Sequence, residues 1–152
     1  MKTISFTIYQ EPTGKKAVMH TKTGIAYHSK EQKYNESYLI EEMEKHRPLV
    51  PIGNPMILCI NAFFPIPKSK PKWWKEAALA GYIKFTKKPD CDNCWKQVGD
   101  ALEKMQFIEN DCKIYAGRVA QWYSDRPRWE IRIEIFPEMT REMYLREVGN
   151  GE

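Results

Sequence analysis

The stretch Pro89-Asp90-Cys91-Asp92-Asn93-Cys94-Trp95-Lys96-Gln97-Val98-Gly99-Asp100-Ala101-Leu102-Glu103-Lys104-Met105 decides the reading of this chain. Cys94, Trp95, Val98, Leu102 and Met105 recur at the spacing of a helix with one buried face. Asp92 has a short acceptor side chain suited to the free N–H groups of a first turn, so it is placed as the N-cap. The spacing predicts a helix over 92–105. Lys96 lies one turn beyond Asp92 on the same face, and Asp100 lies two turns beyond it. After the helix, Glu109-Asn110-Asp111 leads into the next apolar run. A helix running away and a strand running back would carry Asp111 towards Asp90 and Asp92.

The flanking segments supply a sheet for this helix. Ile4, Phe6 and Ile8 alternate with polar residues as a half-buried strand does. Residues 11–16 break that strand, and 17–22 with 25–28 flank Thr23-Gly24 as a short hairpin or irregular arm. Ser29 caps a predicted helix over 30–46. Residues 56–63 form a strongly apolar strand closed by Pro65 and Pro67. Ser69 and Pro71 start a further helix through Trp73, Trp74 and Ala77 that stops at Gly81. Residues 82–86 are read as a strand or extended arm. Residues 113–123 and 129–136 are strands, the second alternating Trp129, Ile131, Ile133 and Ile135 with Glu130, Arg132 and Glu134. The fold class is α+β: a small mixed β-sheet packed with helices on one face, in a single domain over 1–137. A charged tail over 138–152 has room for a short helix.

Composition narrows the function. The chain has 152 residues, 42% of them hydrophobic, with five Trp, eight Tyr and six Phe, enough for a core and too apolar for general disorder. Its net charge is only +4, but the cations are grouped. Lys68, Lys70, Lys72, Lys75, Lys84, Lys87 and Lys88 precede the acidic stretch, and Arg118, Arg126, Arg128 and Arg132 follow it. A basic surround with an acidic centre suits a polyanion held through a metal. No apolar run approaches the roughly 20 residues that span a bilayer, and the N-terminal residues alternate like a strand rather than a signal peptide. The expected location is the cytoplasm, with Cys59, Cys91, Cys94 and Cys112 as reduced thiols.

Asp90, Asp92 and Asp111 would repel one another if they converged, and a cation removes that cost. Mg²⁺ takes one or two carboxylates and shares its other positions with water and phosphate oxygens. A neighbouring lysine, Lys96, can meet a phosphate. The pattern points to a metal-dependent enzyme acting on nucleic acid, with Asp100 placing Lys96. The same residues also read as a cap, an i,i+4 ion pair and a turn aspartate. Two patterns overlap the stretch. Cys91-Asp92-Asn93-Cys94 is a C-x-x-C, which serves redox chemistry or half a zinc site; no second C-x-x-C accompanies it, and Cys94 fits the apolar face. Pro89-Asp90 with Asp111-Cys112-Lys113 mimics the Pro-Asp…Asp-x-Lys pattern of restriction-type nucleases, which would use Lys113 in place of Lys96.

Lys88-Pro89-Asp90-Cys91-Asp92-Asn93, Lys96, Asp100-Ala101-Leu102 and Asn110-Asp111 resemble the core of RusA-type Holliday junction resolvases. Thr23 to Glu31 with Tyr34 is similar to that family's N-terminal basic segment, and Trp129 to Ile133 to its last strand. The resemblance implies a homodimeric, Mg²⁺- or Mn²⁺-dependent endodeoxyribonuclease of bacterial, often prophage, origin. Such a dimer nicks opposed strands of a four-way DNA junction. It assigns metal binding to Asp90, Asp92 and Asp111 and the essential lysine to Lys96. The family commonly has aliphatic residues where this chain has Cys91 and Cys94. Lys15, Lys16, Lys22, Lys87, Lys88, Arg126 and Arg128 are candidates for DNA-backbone contacts, and Phe85, Trp73 or Trp74 for stacking on unpaired bases. The contrasting reading is a non-catalytic DNA-binding or prophage structural protein whose aspartates are caps.

Overall fold

The computed structural model describes residues 1–15 and 18–149. In chain order its elements are β1 (Lys2–Ile8), β2 (Met19–His20), β3 (Ala26–Tyr27), α1 (Lys30–Glu44), β4 (Met56–Pro65), α2 (Lys72–Leu79), α3 (Cys91–Lys104), β5 (Ile114–Ser124), β6 (Arg128–Ile135) and α4 (Arg141–Gly149). A short 3₁₀ turn, Asp111–Lys113, precedes β5. The main sheet has the order β1-β6-β4-β5. β6 runs antiparallel to both β1 and β4, whereas β5 is parallel to β4. The expected α+β architecture with a mixed sheet is therefore present.

Alternation explains where the core lies. In β4, Met56, Leu58, Ile60, Ala62 and Phe64 are buried and the residues between them are not. Trp129, Ile131 and Ile133 of β6 face the same way, and Phe6 and Ile8 of β1 join them. Leu39 and Met43 of α1 and Cys94, Val98, Ala101 and Leu102 of α3 complete one cluster against that face. α2 reaches it at the β5 edge, where Trp74 meets Tyr123 edge-on at 5.3 Å between ring centroids. The other face carries Ser5, Thr7, Cys59, Asn61, Glu130 and Arg132 around a shallow polar hollow.

Local signals set the ends of the helices. Ser29 caps α1 by accepting from the N–H of Gln32. Pro71 precedes α2, and Gly81, with φ of 83°, follows its end in the left-handed conformation that glycine adopts without strain. α3 corrects one expectation. Its cap is Asp90, not Asp92: Asp90 Oδ1 accepts from the N–H of Asn93 at 2.8 Å, and Cys91 is the first helical residue. Residues 82–86 form no strand; the chain turns there, and Phe85 stacks on Phe64 with ring centroids 3.9 Å apart. The arm around Thr23-Gly24 is a minimal hairpin of β2 and β3, and the tail forms α4. No helix among the described residues is long and apolar enough to cross a membrane.

Leu102 is fully buried between the helices and the sheet. Leu102→Ala should destabilise the protein by about 2–5 kcal/mol, the cost of the lost transfer energy plus a cavity. Urea denaturation with an unchanged slope would measure it; a loss below about 1 kcal/mol would mean that the helix is not seated as described.

Candidate active site

α3 turns one face into the core, so its opposite face is left for chemistry. Asp92 and Lys96 lie on that outer face and form an ion pair of 3.0 Å. Lys96, Asp100 and Asp111 line one cleft with Trp95, Gly99 and Ile114, of about 180 Å³. The return of Asp111 to the helix follows from the chain path: α3 ends, Phe107 and Ile108 enter the core, and Asn110 caps the 3₁₀ turn that Asp111 begins. The hydrogen bond from Asp92 raises the pKa of Lys96 above its ordinary value. The charge of Asp92, and those of Asp90 and Asp100, add to this and outweigh a small opposing effect of burial. Lys96 is thus an ammonium at neutral pH, a donor and a positive charge rather than a base.

The carboxylates offer hard oxygen donors, the class that Mg²⁺ takes. Among the described residues, however, no three His, Cys, Asp or Glu side chains form a group able to hold a metal ion. Asp90, Asp92 and Asp111 are not a preassembled cage. Asp90 is engaged as a cap, and Asp92 faces Lys96. The donor set fits an ion that takes one or two carboxylates and fills the remainder with water and phosphate oxygens.

Several contacts hold the outer face in place. Trp95 lies over Gly117 of β5, where a Cβ would come within 2.3 Å of its ring and 2.9 Å of the Leu58 carbonyl oxygen. A glycine within a strand marks such close approach, and this signal was available at Gly117. Gln121 of β5 donates to the carbonyl oxygen of Pro89, fixing the entry to the helix. The segment 11–15 also docks on α3. The N–H of Lys15 donates to the Asn93 carbonyl at 3.0 Å, and a Cβ on Gly14 would meet Pro89 at 2.6 Å and Asn93 at 2.8 Å. Gln97, buried on α3, accepts from Gln32 at 2.9 Å and donates to Thr13 at 3.3 Å. These glutamines escape a reading based on apolar period, because they are polar residues at inward positions.

The proposed DNA contacts divide. Lys15 is drawn into the fold: its side chain is 14% exposed and binds Glu36 at 2.8 Å and Asp100 at 3.4 Å. Its ammonium is occupied, and it places Asp100. Burial would lower its pKa, but the hydrogen bond and charge of Glu36, with Asp100, raise it overall. Arg128 also has partners within the protein. It binds Glu130 at 2.9 Å and Ser124 at 3.0 Å and lies over the Phe63 ring. Arg126 is exposed and lies 3.6 Å over the Tyr9 ring. Lys22, Lys87 and Lys88 are exposed, and Lys16 lies outside the described residues. Phe85 packs inward, Trp74 meets Tyr123, and Trp73 is 66% exposed. Cys94 is in the core, and burial pushes its thiol up to about 11, against a smaller lowering by the Gln121 hydrogen bond. Lys113 is half-buried beside Asp111 and does not line the cleft.

Comparison with known proteins places this site in context. Residues 10–134 match the family model described as Endodeoxyribonuclease RusA. The chain is also 32% identical over 138 residues to the uncharacterized protein YqaN of Bacillus subtilis (strain 168). That alignment covers 88% of this chain and 96% of YqaN.

Glu36 gives a pH test of the scaffold behind the site. Lys104 and Lys15 lower its pKa below the ordinary 4.5, by hydrogen bonds and charge that overcome the opposing effect of burial. A lowered carboxyl stabilises the fold above its unfolded value, and that contribution is lost as pH falls through its folded value. Glu36→Gln should therefore be less stable than wild type at neutral pH. The difference should shrink on acidification below 4.5. A difference that stayed constant across that window in thermal melts would remove Glu36 from the ion network.

Proposed function

Because this chain belongs to the RusA endodeoxyribonuclease family, we propose that it is a Mg²⁺- or Mn²⁺-dependent resolvase of four-way DNA junctions. The observation that carries the proposal is the cleft in which Lys96, Asp100 and Asp111 meet, with Asp92 on Lys96 and Asp90 at the cap of the same helix. Asp90, Asp92 and Asp111 would hold the metal. When bound, it would supply Lewis-acid stabilisation of the phosphate and activation of water.

The chain's own residues do the rest. Lys96 stays protonated at Nζ and meets the negative charge that grows on the scissile phosphate. Its bond to Asp92 is between exposed groups, a kind of pair worth little in water, so DNA can replace it. Asp100, anchored by Lys15, keeps an acidic wall beside Lys96. Lys22, Lys87, Lys88 and Arg126 are offered to the DNA backbone, which gives affinity and salt dependence without reading sequence. Trp73 is an exposed ring on which an unpaired base can stack.

The described residues of one chain form one such cleft, and resolving a junction requires two cuts. The proposed working form is a homodimer whose two-fold axis matches that of the junction. Its setting is DNA recombination and repair in the cytoplasm, with a prophage origin in keeping with the family resemblance. The alternative, a non-catalytic DNA-binding or prophage structural protein, predicts binding without cleavage under every metal condition.

Cleavage of a synthetic four-way junction with and without Mg²⁺ separates the two readings. Asp90→Asn, Asp92→Asn and Asp111→Asn should each abolish nicking while junction binding persists in a gel-shift assay. Lys96→Ala should lower the single-turnover rate by roughly 10²–10³-fold, the range for losing one transition-state charge stabiliser. Lys113→Ala should have a much smaller effect. The reverse order of the two lysines would select the restriction-type mechanism, and wild-type inactivity with any divalent metal would select the non-catalytic reading.

Subunit mixing tests the dimer. A heterodimer with one Asp90→Asn subunit should nick one strand and rarely resolve the junction. An active monomer in sedimentation on junction DNA would exclude paired subunits but leave the cleft's chemistry standing.

A further inference from the structure

The C-x-x-C at the start of α3 is not used by the nuclease reading, and its geometry is specific. Cys91 is the first helical residue and exposed; Cys94, one turn on, is buried. Both sulfurs rest on a single side-chain amide. Cys91 Sγ lies 3.5 Å from Gln121 Oε1, and Gln121 Nε2 lies 3.6 Å from Cys94 Sγ. One thiol is reachable from solvent. The other is closed off from solvent and touches the same amide.

We propose that Cys91 and Cys94 are an oxidisable dithiol, a modification site at which a small-molecule disulfide such as oxidised glutathione closes an internal Cys91–Cys94 disulfide. Cys91 Sγ attacks one sulfur of the small disulfide, a mixed disulfide forms, and the first thiol leaves with the Cys91 proton. Cys94 Sγ then attacks Cys91 Sγ, breaks the mixed disulfide and releases the second thiol with its own proton. The protein loses two electrons and two protons, and the small disulfide gains them.

Closure has a structural cost in the right place. Cβ atoms three residues apart on a helix stand about 5–6 Å apart, whereas a disulfide brings them to roughly 3.5–4.5 Å. The first turn must tighten, and Cys91 is the freer end, because its N–H is among those with no partner inside a helix. Cys91 lies directly between Asp90 and Asp92. Its displacement would therefore disturb both carboxylates. This consequence, but not the disulfide itself, rests on the proposed nuclease site.

The test is thiol trapping on the full chain. The protein is equilibrated with reduced and oxidised glutathione at graded ratios, free thiols are alkylated, and intact mass and peptide maps are recorded. The expected product has lost two hydrogens in the peptide carrying Cys91 and Cys94. Cys112, exposed but with no cysteine within a turn of it, is the internal control and should carry at most a glutathione adduct. Cys94→Ser should stop at a stable glutathione adduct on Cys91, and Cys91→Ser should form no internal disulfide. A persistent Cys91 adduct in wild type, or reaction at Cys91 no different from that at Cys112, would overturn the proposal. If that variant proves unstable, the wild-type peptide map alone decides. In parallel, oxidised wild type should lose Mg²⁺-dependent junction cleavage and regain it with reductant, while Cys91→Ser should be indifferent to oxidation. Disulfide formation without loss of cleavage would refute the coupling to Asp90 and Asp92. Absence of cleavage in the reduced protein would count against the nuclease reading and leave the dithiol result standing.

Discussion

The orientation of α3 on the sheet governs the rest of the structure. Cys94, Val98, Ala101 and Leu102 are buried together on one side of this helix, so its rotation about its own axis is determined by the core. One residue of slip would turn every side chain by about 100°. It would bring apolar groups into water and Asp92, Lys96 and Asp100 towards the core. The contact of Trp95 with Gly117 sets the height of the helix over β5, because any side chain there would collide with the indole. Burial on one face thus makes the chemistry on the other face geometrically definite.

An acidic surface of this kind works against its own stability, since like charges raise one another's energy. The fold offsets this with lysines drawn from separate parts of the chain. Lys15 joins Glu36 of α1 to Asp100 of α3, Lys104 adds a second contact to Glu36, and Lys96 sits on Asp92. The first two tie the N-terminal segment and α1 to the helix that carries the site. A lysine with two carboxylate partners and little exposure is fixed in place. Lys96, with one partner and an exposed side chain, remains adjustable. The same residue type therefore serves as scaffold at one position and as a candidate reagent at another, and burial makes the difference.

Much of this was legible in the residues, for identifiable reasons. The apolar period of α3 and the alternation of β6 predicted most of the buried residues, because both depend only on local geometry; Trp95 and Ile135 are the exceptions, only half-buried at the edge of the core. The Asp–Lys spacing likewise predicted the Asp92–Lys96 pair. The N-cap was misplaced by two residues because Asp90 and Asp92 are equally good caps by type; the structure selects the one whose carbonyl and carboxylate both meet the first turn. Lys15 looked like a free cation since its partners, Glu36 and Asp100, are brought in by the tertiary fold, while those of Arg128, Ser124 and Glu130, lie beside it in its own hairpin. The parallel pairing of β4 with β5 was also out of reach. It joins strands separated by two helices, and no local pattern specifies it.

The exposure of the charged groups at the site is the remaining feature with a physical cause. Small-molecule enzymes enclose their substrates in concave, largely apolar pockets, whereas here the charged groups stand at the surface. For a polyanionic duplex that arrangement is favourable. Exposed carboxylates and ammonium groups remain largely hydrated in the free protein, so little desolvation cost is stored in the fold. On the proposed function, a phosphate backbone that covers the surface would displace water and lower the effective dielectric, which would strengthen the interaction of Lys96 with the phosphate. A carboxylate cluster left without a cation would become less favourable at the same moment. On the proposed function, metal and DNA are therefore each bound better in the presence of the other, a mutual dependence that the absence of a three-carboxylate cage among the described residues leaves room for. A ready-made cage would hold its ion with or without DNA; an incomplete one lets the phosphate supply what the protein does not.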